Sequence, residues 1–398
     1  MSTNIKQLID ELFPNGVEWK TLGEVCEFKR GNAITKDKTI SGNIPVVAGG
    51  RKLAYYHNEY NRTGETIVVA GSGAYAGYIS FWNEPIFVSD AFSVHPDKNL
   101  LIIKYVYYFL LTKQEIIHSL KTGAGVSHVY PKDLQNFRVP IPPLPVQEEI
   151  VRILDKFTAD VNEHIQLLER ELELRHKQYE YYRNKLLTPT EENGSWLLNG
   201  HSVEWKTLGE VCDVTSGGTP SKSKKEYWEN GIIPWLKSEV CNNTSIYSAS
   251  DFITELGLKN SSTKLLEKNI TLMAMVGATR FKTAFWEFEA YTNQNIASIN
   301  SKIKNKLSNK FIFYYLTNKY DEFRKKMSSY GMINLETIRS INIPIPPMEE
   351  QERIVGILDK FNKLINDLSI GLPAEIQARK KQYEYYRNKL LTFKEKDS

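Results

Sequence analysis

The feature that most constrains the fold of this chain is an internal repeat. The segment KQYEYYRNKLLT occurs at 177–188 and again at 381–392, identical at all twelve positions. VEWKTLGEVC likewise occurs at 17–26 and at 203–212. Repeated segments in the same order predict a repeated supersecondary unit. We therefore interpret the chain as one unit written twice.

The distance between the copies changes along the chain. VEWKTLGEVC recurs after 186 residues and KQYEYYRNKLLT after 204, so the second unit contains 18 additional residues. Shorter motifs assign three of them to the part before Pro234 and fifteen to the part between Pro234 and Ala274. Beyond Ala274 the two units have the same length. The segments PIPPLPVQEEIVRILDKF at 140–157 and PIPPMEEQERIVGILDKF at 344–361 then match at thirteen of eighteen positions.

Each unit has two parts of different character. The front part mixes β-branched and aromatic runs with Gly, Asn and Ser, which predicts a mixed α/β globular domain. The back part is rich in Glu, Lys, Arg, Leu and Gln, which predicts a long helix. The predicted boundaries are 1–144 for the first globular domain, 145–188 for the first helix, 189–202 for a linker, 203–348 for the second globular domain, 349–392 for the second helix and 393–398 for a tail.

The two helices are predicted to pack against each other. Apolar residues in the first helix recur mostly at steps of three, four or seven, which is typical of a coiled coil. The linker of about 15 residues reaches at most roughly 50 Å, whereas a 44-residue helix is about 65 Å long. Antiparallel packing satisfies this limit and predicts a pseudo-twofold axis, with the globular domains at opposite ends of a stalk. Gly371 and Pro373 predict a kink or break in the second helix only.

Several kinds of chemistry are disfavoured by the sequence. GSGAYAG at 71–77 superficially resembles a nucleotide loop, but its counterpart MVGATRF shares only one glycine with it, so we interpret it as a tight turn. The seven histidines include no HExxH pair, and no site for a metal or for catalysis is predicted. Three scattered cysteines, no signal peptide and no apolar run of about 20 residues indicate a soluble protein of the cytoplasm.

Nucleic-acid contact is better supported, although the net charge of only +4 means that any such surface must be local. Lys and Arg neutralise phosphates, and Asn and Gln can address base edges. A solvated basic loop is the alternative for each residue taken singly. The candidates are Lys29, Arg30, Lys36, Arg51, Lys52, Tyr55 and Tyr56 in the first domain, and Thr219, Lys222, Lys224, Lys225, Trp235, Lys237, Arg280, Lys282, Asn293, Gln294 and Asn295 in the second.

The order of these elements resembles a known family. VEWKTLGEVC, a variable domain, PIPPLPVQEEIVRILDKF and a helix ending in KQYEYYRNKLL, all written twice, are similar to the specificity (S) subunit of Type I restriction-modification systems. The resemblance covers essentially the whole chain. It implies two target recognition domains, each reading one half of a split, asymmetric DNA sequence, and an antiparallel helical spacer between them. The interruption at Gly371 and Pro373 departs from a symmetric spacer.

The resemblance also implies partners and cofactors. Two methyltransferase (M) subunits would carry S-adenosylmethionine, and restriction (R) subunits would use ATP and Mg, while this chain binds no cofactor and is not catalytic. The PIPP segments and the repeated helix segments are the regions matched to spacing and M-subunit docking. The candidate docking residues are Gln147, Tyr179, Tyr181, Tyr182, Arg183, Gln351, Tyr383, Tyr385, Tyr386 and Arg387.

An alternative function belongs to a different class. The chain could be a non-enzymatic scaffold whose two domains bind protein or carbohydrate, with the helices serving oligomerisation. The low net positive charge favours this alternative, and the aromatic and basic loops, with the whole-chain resemblance, favour DNA specificity. The recognised bases and their spacing are not encoded in any pattern of the sequence that we can interpret.

Overall fold

The chain forms two compact units, and each of them combines segments from both repeats. The first unit contains residues 1–169 and 375–398, and the second contains residues 170–374. The computed structural model describes residues 11, 13–51, 53, 55–123, 125–326, 333–367 and 370–396. None of the helices within these ranges is both long enough and apolar enough to cross a membrane.

The strands of the first repeat and of the linker are β1 (Glu18–Thr21), β2 (Cys26–Arg30), β3 (Ile44–Val47), β4 (Tyr55–His57), β5 (Glu65–Ala70), β6 (Ile79–Asn83), β7 (Phe87–Val88), β8 (Ala91–Pro96), β9 (Arg138–Ile141), β10 (Thr190–Glu192), β11 (Ser195–Leu198) and β12 (His201–Ser202). Those of the second repeat are β13 (Glu204–Thr207), β14 (Cys212–Ser216), β15 (Ile233–Leu236), β16 (Thr244–Ile246), β17 (Asp251–Ile253), β18 (Leu265–Leu266), β19 (Ile270–Ala274), β20 (Thr283–Trp286), β21 (Ala290–Thr292), β22 (Ile296–Ser301) and β23 (Asn342–Ile345). The helices are α1 (Leu22–Val25), α2 (Ile103–Thr112), α3 (Gln114–Ser119), α4 (Pro131–Gln135), α5 (Leu144–Leu187), α6 (Leu208–Val211), α7 (Glu255–Lys259), α8 (Asn309–Asn318), α9 (Tyr320–Lys326), α10 (Leu335–Arg339), α11 (Met348–Asn366) and α12 (Leu372–Leu390).

The globular part of the first unit is a mixed α/β domain, as predicted. Its main sheet has the antiparallel strand order β2-β8-β5-β6, and a smaller sheet has the order β4-β3-β7. The central strand β5 reads ETIVVA and is buried from its second residue onward, because the sheet is covered on both faces. Helix α2 packs on this sheet through an apolar face that includes Tyr105, Phe109 and Leu110.

The second unit repeats this domain with one strand added. Its main sheet has the order β14-β22-β19-β20-β16, in which the first four strands correspond to β2-β8-β5-β6. Strand β16 pairs in parallel with β20 at the edge of this sheet, with Thr244 opposite Ala284. It lies in the stretch between Pro234 and Ala274 where the sequence places fifteen additional residues. The insertion therefore extends the sheet, and the described part of the first unit has no strand at that edge.

The glycine shared by GSGAYAG and MVGATRF marks a turn. Gly73 has a φ of +81° and Gly277 has a φ of +67°, both in the left-handed region that residues with a Cβ rarely adopt. A turn that needs this conformation explains why glycine persists at this position while its neighbours diverge. The prediction of a tight turn is confirmed.

The predicted long helix and the predicted break are both confirmed. Helix α5 runs without interruption for 44 residues. In the second repeat, α11 ends at Asn366 and α12 begins at Leu372. Pro373 occupies the first turn of α12, where its missing N–H costs nothing. A Cβ on Gly371 would lie 2.7 Å from the carbonyl oxygens of Asp367 and Leu364, so only glycine fits at the turn before α12.

Within the first unit, α5 and α12 pack antiparallel. The ring of Phe157 in α5 lies 5.5 Å from that of Tyr383 in α12. Further along α5, the carboxylate of Glu169 lies 3.7 Å from the ammonium of Lys380, which precedes Tyr383. Residue numbers therefore rise along one helix as they fall along the other. This confirms the predicted antiparallel pairing.

The tail after α12 closes the first unit. Leu390, Leu391 and Phe393 are buried in the same core as the main sheet. The amide of Val17 donates to the carbonyl of Lys394 at 2.9 Å, so the tail pairs with the backbone just before β1. Residues from the two ends of the described chain thus complete one core.

In the second unit the linker takes the equivalent place. Strands β10, β11 and β12 form a small sheet, and Asn199 in its last turn donates to the carbonyl of Leu186 at 3.0 Å and to the carboxylate of Glu350 at 2.8 Å. Burial alone would raise the pKa of Glu350, but hydrogen bonds from Arg353 and Asn199 outweigh it and hold that pKa below its usual value.

A buried glutamine anchors each long helix to its globular domain. The amide nitrogen of Gln147 donates to the carbonyls of Leu100 and Pro142 at 2.8 and 2.7 Å, and its oxygen accepts from the amide of Ile102 at 2.9 Å. Gln351 makes the same three kinds of bond in the second unit. Both side chains are fully buried, so each satisfies backbone groups that would otherwise lack partners.

We expect Gln147→Leu to lower the free energy of unfolding by about 2–4 kcal/mol, because it leaves two carbonyls and one amide unpaired in the interior. Urea denaturation at neutral pH measures the change. Gln166→Leu, the same substitution at an exposed position of α5, is the matched control and should change stability by less than about 0.5 kcal/mol. Equal effects of the two substitutions would contradict the anchoring role of Gln147.

Candidate nucleic-acid interface

The first unit gathers basic and aromatic side chains at one edge of its main sheet. Strands β2 and β5 are both antiparallel to β8, so their last residues, Arg30 and Ala70, lie at the same edge. The loops after β3 and β5 touch there, since a Cβ on Gly49 would lie 2.4 Å from the carbonyl oxygen of Ser72. Ser72 also pairs with His128, which brings the loop before α4 to this edge.

Two arginines at this edge lie against tyrosine rings. The guanidinium of Arg51 lies 4.9 Å from the ring centre of Tyr75 and 5.4 Å from that of Tyr78. The guanidinium of Arg30 lies 6.0 Å from the ring centre of Tyr130. Neither arginine has a carboxylate partner among the residues that the structure describes. Contact with a ring orients a guanidinium without using its N–H groups, so both remain able to donate to an anionic ligand.

Tyr130 is the centre of a wider contact group. The imidazole of His128 stacks on its ring at 5.8 Å with an interplanar angle of 6°, and the ammonium of Lys132 lies 5.7 Å from the ring centre. Asp90 lies at the same edge, where its carboxylate accepts the hydroxyl of Ser72. Cations thus outnumber carboxylates. We refer to the following residues as the first loop cluster: Arg30, Arg51, Tyr75, Tyr78, His128, Tyr130 and Lys132.

Only two of the residues predicted for the first domain belong to the first loop cluster, namely Arg30 and Arg51. Lys29 is paired at 3.0 Å with the glutamate two residues before it, which neutralises its charge. The hydroxyl of Tyr55 donates to the carbonyl of Ile34 and holds a loop in place. Both contacts are within the domain.

The remaining predicted residues of the first domain have different surroundings. Lys36 is exposed in a short 3₁₀ turn, and Tyr56 is 52% exposed on β4. Lys52 lies outside the described residues. The sequence analysis missed the tyrosines of GAYAGY and the residues of SHVYPK, because they are up to about a hundred residues away from Arg30 in the chain. Their basic and aromatic composition is the signal that could have identified them.

The same edge of the second unit carries polar residues. Strands β14 and β19 end there, and β22 begins there. Thr219 donates its hydroxyl to the amide oxygen of Gln294 at 2.6 Å, which joins the loops after β14 and β21. The amide of Met275, just after β19, donates to the carbonyl of Asn295 at 2.9 Å. The predicted TNQN segment and Thr219 are therefore brought together.

Two predicted contact residues of the second unit require correction. Trp235 is only 1% exposed, and its indole N–H donates to the carbonyl of Gly218 at 3.1 Å. Asn293 is 7% exposed, and its side-chain oxygen accepts the amide of Asn295 at 3.0 Å. Both side chains point into the domain and stabilise the loops around them. Neither has the exposed surface that contact with a ligand requires.

The predicted cations of the second unit divide into paired and exposed ones. Lys237 forms an ion pair with Asp251, and Lys282 donates to the side chain of Asn242 at 3.3 Å. The guanidinium of Arg280 lies 5.8 Å from the ring of Phe281. The exposed lysines are Lys222, Lys224 and Lys225, of which Lys224 donates to the hydroxyl of Tyr227 at 3.0 Å and Lys225 lies 4.0 Å from the carboxylate of Glu229.

The repeated helix segment has an inner and an outer face. In the second unit, Tyr179 and Tyr182 contact the ring of Phe361 at 6.4 and 5.7 Å, while Tyr181 is 60% exposed. In the first unit, Tyr383 and Tyr386 contact the ring of Phe157 at 5.5 and 5.9 Å, while Tyr385 is 61% exposed. Arg183 and Arg387 lie over the rings of Tyr179 and Tyr383 at 5.3 and 5.5 Å.

Each copy of the segment therefore packs in the unit whose domain comes from the other repeat. The residues that receive it belong to ILDKF at 153–157 and at 357–361, which is also identical in both repeats. Two identical contact partners explain why the twelve residues are kept identical. Tyr179, Tyr182, Tyr383 and Tyr386 are packing residues, and this corrects their prediction as docking residues.

The two predicted docking glutamines also require correction. Gln147 and Gln351 have no exposed surface, and their amide groups are occupied by the backbone contacts described above. They can affect a partner only through the position of the helix that they anchor. Among the predicted docking residues, Tyr181 and Tyr385 are the ones with most of their side-chain surface exposed.

The thiols belong to the core of the domains. Burial raises the pKa of Cys26, of Cys212 and of Cys241 to about 12. All three remain protonated at neutral pH, and a protonated thiol is a poor nucleophile.

Sequence comparison connects this architecture with known proteins. The profile of the family described as "Type I restriction modification DNA specificity domain" matches residues 14–174 and 202–378. The specificity subunit of the type I restriction enzymes EcoR124I and EcoR124II of Escherichia coli is 34% identical over 401 residues, covering 95% of this chain and 94% of that protein. A putative type I restriction enzyme specificity subunit of Haemophilus influenzae is 32% identical over 390 residues, covering 95% and 96%.

Solved structures share the fold. A chain from a structure concerned with complex assembly and conformational transition of the type I restriction-modification system has a TM-score of 0.64 and 20% identity, covering 94% of this chain and 97% of that one. The S subunit of a Type I restriction-modification system from M. genitalium has a TM-score of 0.50 and 19% identity, covering 94% and 96%.

Proposed function

Because the chain belongs to the family of Type I restriction-modification DNA specificity subunits, we propose that its two globular domains read the two halves of a bipartite DNA target for a partner methyltransferase. The observation that carries this proposal is the match of both repeats, over almost the whole chain, to specificity subunits. The chain is the DNA-recognition component of such a complex, which works with M and R subunits. No observation favours the alternative of a protein-binding or carbohydrate-binding scaffold.

We infer that the first loop cluster is the DNA-contacting part of the first domain. Its arginines and lysine supply charges for phosphates, and its tyrosines and histidine offer flat faces to sugars and bases. The corresponding edge of the second unit has Ser216 where the first has Arg30, and Asn334 where the first has Tyr130. Because the two edges differ in charge and in hydrogen-bonding groups, they are suited to different half-sites, which supports an asymmetric target.

The exposed faces of the repeated helix segments are the proposed docking surfaces for two M subunits. Tyr181 and Tyr385 occupy the same position in the two copies and are exposed to the same degree. Two equivalent surfaces on one chain support the binding of two equivalent partners. In this arrangement S-adenosylmethionine belongs to the M subunits, and ATP and Mg belong to the R subunits.

The function is tested by reconstitution. The chain alone should transfer no methyl groups, whereas the chain with its M subunit should methylate adenines within a single split sequence, mapped by single-molecule sequencing of treated DNA. Omitting the chain should abolish that sequence preference, because the M subunit would then lack its reading domains. Unchanged sequence preference without the chain, or methylation by the chain alone, would contradict the proposal.

We expect Arg30→Ala with Lys132→Ala to weaken binding of the mapped target duplex by about tenfold to a hundredfold, because two phosphate contacts are lost. The slope of log affinity against log salt should fall by about two for the same reason. Fluorescence anisotropy of a labelled duplex titrated with the assembled methyltransferase measures both quantities.

The matched control for this experiment is Lys98→Ala. Lys98 is exposed and follows β8, whose last residue, Pro96, pairs with Cys26 at the end of the sheet opposite Arg30. Its removal should leave the affinity and the salt dependence nearly unchanged. If Lys98→Ala and the double variant weaken binding equally, the first loop cluster is not the interface.

We expect Tyr181→Ala with Tyr385→Ala to weaken assembly with the M subunit, with little change in the stability of the chain. Truncating exposed tyrosines removes contact area for a partner but few contacts within the chain. Sedimentation velocity of mixtures with the M subunit gives the affinity. In contrast, Tyr179→Ala, in the same segment but on the inner face, should destabilise the second unit by about 2–4 kcal/mol. Unchanged assembly of the double variant would rule out these faces as docking surfaces.

A further inference from the structure

An ion pair with a shared hydroxyl connects the first domain to the long helix. The ammonium of Lys104 lies 2.6 Å from one carboxylate oxygen of Asp155, and the hydroxyl of Tyr108 donates to the other at 2.7 Å. Lys104 and Tyr108 are one turn apart on α2, so they reach the same side of α5. The tyrosine hydroxyl is also 3.4 Å from that of Thr158, which in turn lies 2.7 Å from the hydroxyl of Tyr383 in α12.

The same group recurs in the second unit. The ammonium of Lys310 lies 3.0 Å from Asp359, and the hydroxyl of Tyr314 donates to the other oxygen of that carboxylate at 2.5 Å. We call Lys104, Tyr108 and Asp155 the first joint, and Lys310, Tyr314 and Asp359 the second joint. Both lie at helices that connect a reading domain to a long helix.

The residues of the joints persist where their surroundings have diverged. Helices α2 (IKYVYYFLLT) and α8 (NKFIFYYLTN) are identical at only three of ten aligned positions. Two of the three are the lysine and the tyrosine of the joints, and the third is a leucine buried in each core. Apolar packing tolerates exchange among residues of similar volume, as the other positions show. A specific geometry is what requires the same lysine and tyrosine twice.

Directional bonds at this place control an angle that apolar packing leaves free. Hydrogen bonds to both oxygens of one carboxylate define the rotation of one helix against the other, whereas apolar contacts allow small rocking motions. Strand β8 leads into α2 from the end of the sheet opposite Arg30, so the joint and the first loop cluster lie at opposite ends of the domain. A domain of about 130 residues has a radius of gyration of about 14 Å, so these ends are roughly 30 Å apart.

We propose that the two joints are positioning devices that set the direction in which each domain presents its reading edge, and thereby the distance between half-sites that the complex accepts. Rocking by about 10° over roughly 30 Å would move the reading edge by about 5 Å, more than the ~3.4 Å rise of one base pair. Weakening a joint therefore relaxes the choice of spacing, while the bases read within each half-site stay the same. This inference rests on the proposed DNA-specificity function.

The two joints differ in one respect. Thr158 extends the first joint to Tyr383, whereas Asn362, at the matching position of the second repeat, hydrogen-bonds to Asn366 at 2.7 Å. The first domain is therefore held to both long helices and the second domain to one. Loss of the carboxylate should relax spacing more when it occurs in the second joint, since no further hydroxyl contact remains there.

The test uses the complete chain assembled with its M subunit and three duplexes, which carry the mapped half-sites with the natural spacer, one base pair fewer, or one more. The wild type should methylate the natural spacer at least about tenfold faster than the other two. Asp155→Asn should bring the three rates within about threefold, and Asp359→Asn should do the same or more. Asp155→Glu keeps the carboxylate and should restore most of the discrimination.

Asp160→Asn is the matched control, since it removes the same charge from an exposed position of α5 and should leave discrimination unchanged. Tyr108→Phe removes only one hydroxyl and decides the question if Asp155→Asn does not fold. Full discrimination in folded Asp155→Asn and in Tyr108→Phe would overturn the role of the joints while leaving the specificity function intact. A wild-type complex without any sequence preference would instead overturn the proposed function itself.

Discussion

The contact of one phenylalanine with two tyrosines, made once in each unit, is the interaction on which the rest of the structure depends. Phe157 and Phe361 come from the beginning of one helix, and the tyrosines that cover them come from the end of the other. Each unit is therefore completed by a segment of the other repeat. A substitution on either side of this contact affects a domain that is more than two hundred residues away in the chain.

This exchange separates two selective pressures within one helix segment. The inner tyrosines must fit a phenylalanine that is the same in both units, so they cannot vary independently. The outer tyrosines are free of that requirement and are available to partners. The globular domains carry neither constraint on their loops, which explains how the reading edges have diverged while the ends of each domain remain recognisable. Conserved joints and variable edges are compatible because they lie at opposite ends of each domain.

The sequence was sufficient to predict those features that depend on regular patterns. The repeat, the long α5, the antiparallel pairing and the interruption near Pro373 all follow from periodicity, spacing and backbone chemistry. The reading edge was predicted poorly, since Arg30 meets Tyr130 only through strand order, and Trp235 looks like an aromatic contact residue until its burial is known. The packing role of Tyr179 also depends on a partner 182 residues later in the chain. Local patterns contain no information about such distant neighbours.

The position of the tail has a consequence for the order of folding during synthesis. The second unit has all its residues once the chain reaches residue 374, whereas the core of the first unit also needs Leu390, Leu391 and Phe393. At about 5–20 residues per second, the first domain waits roughly 10–45 s after its own helix segment leaves the ribosome before the last strand partner and apolar residues arrive. The domain that is made first is thus the one that is finished last, and a chain broken off early exposes an open apolar core that proteases can recognise.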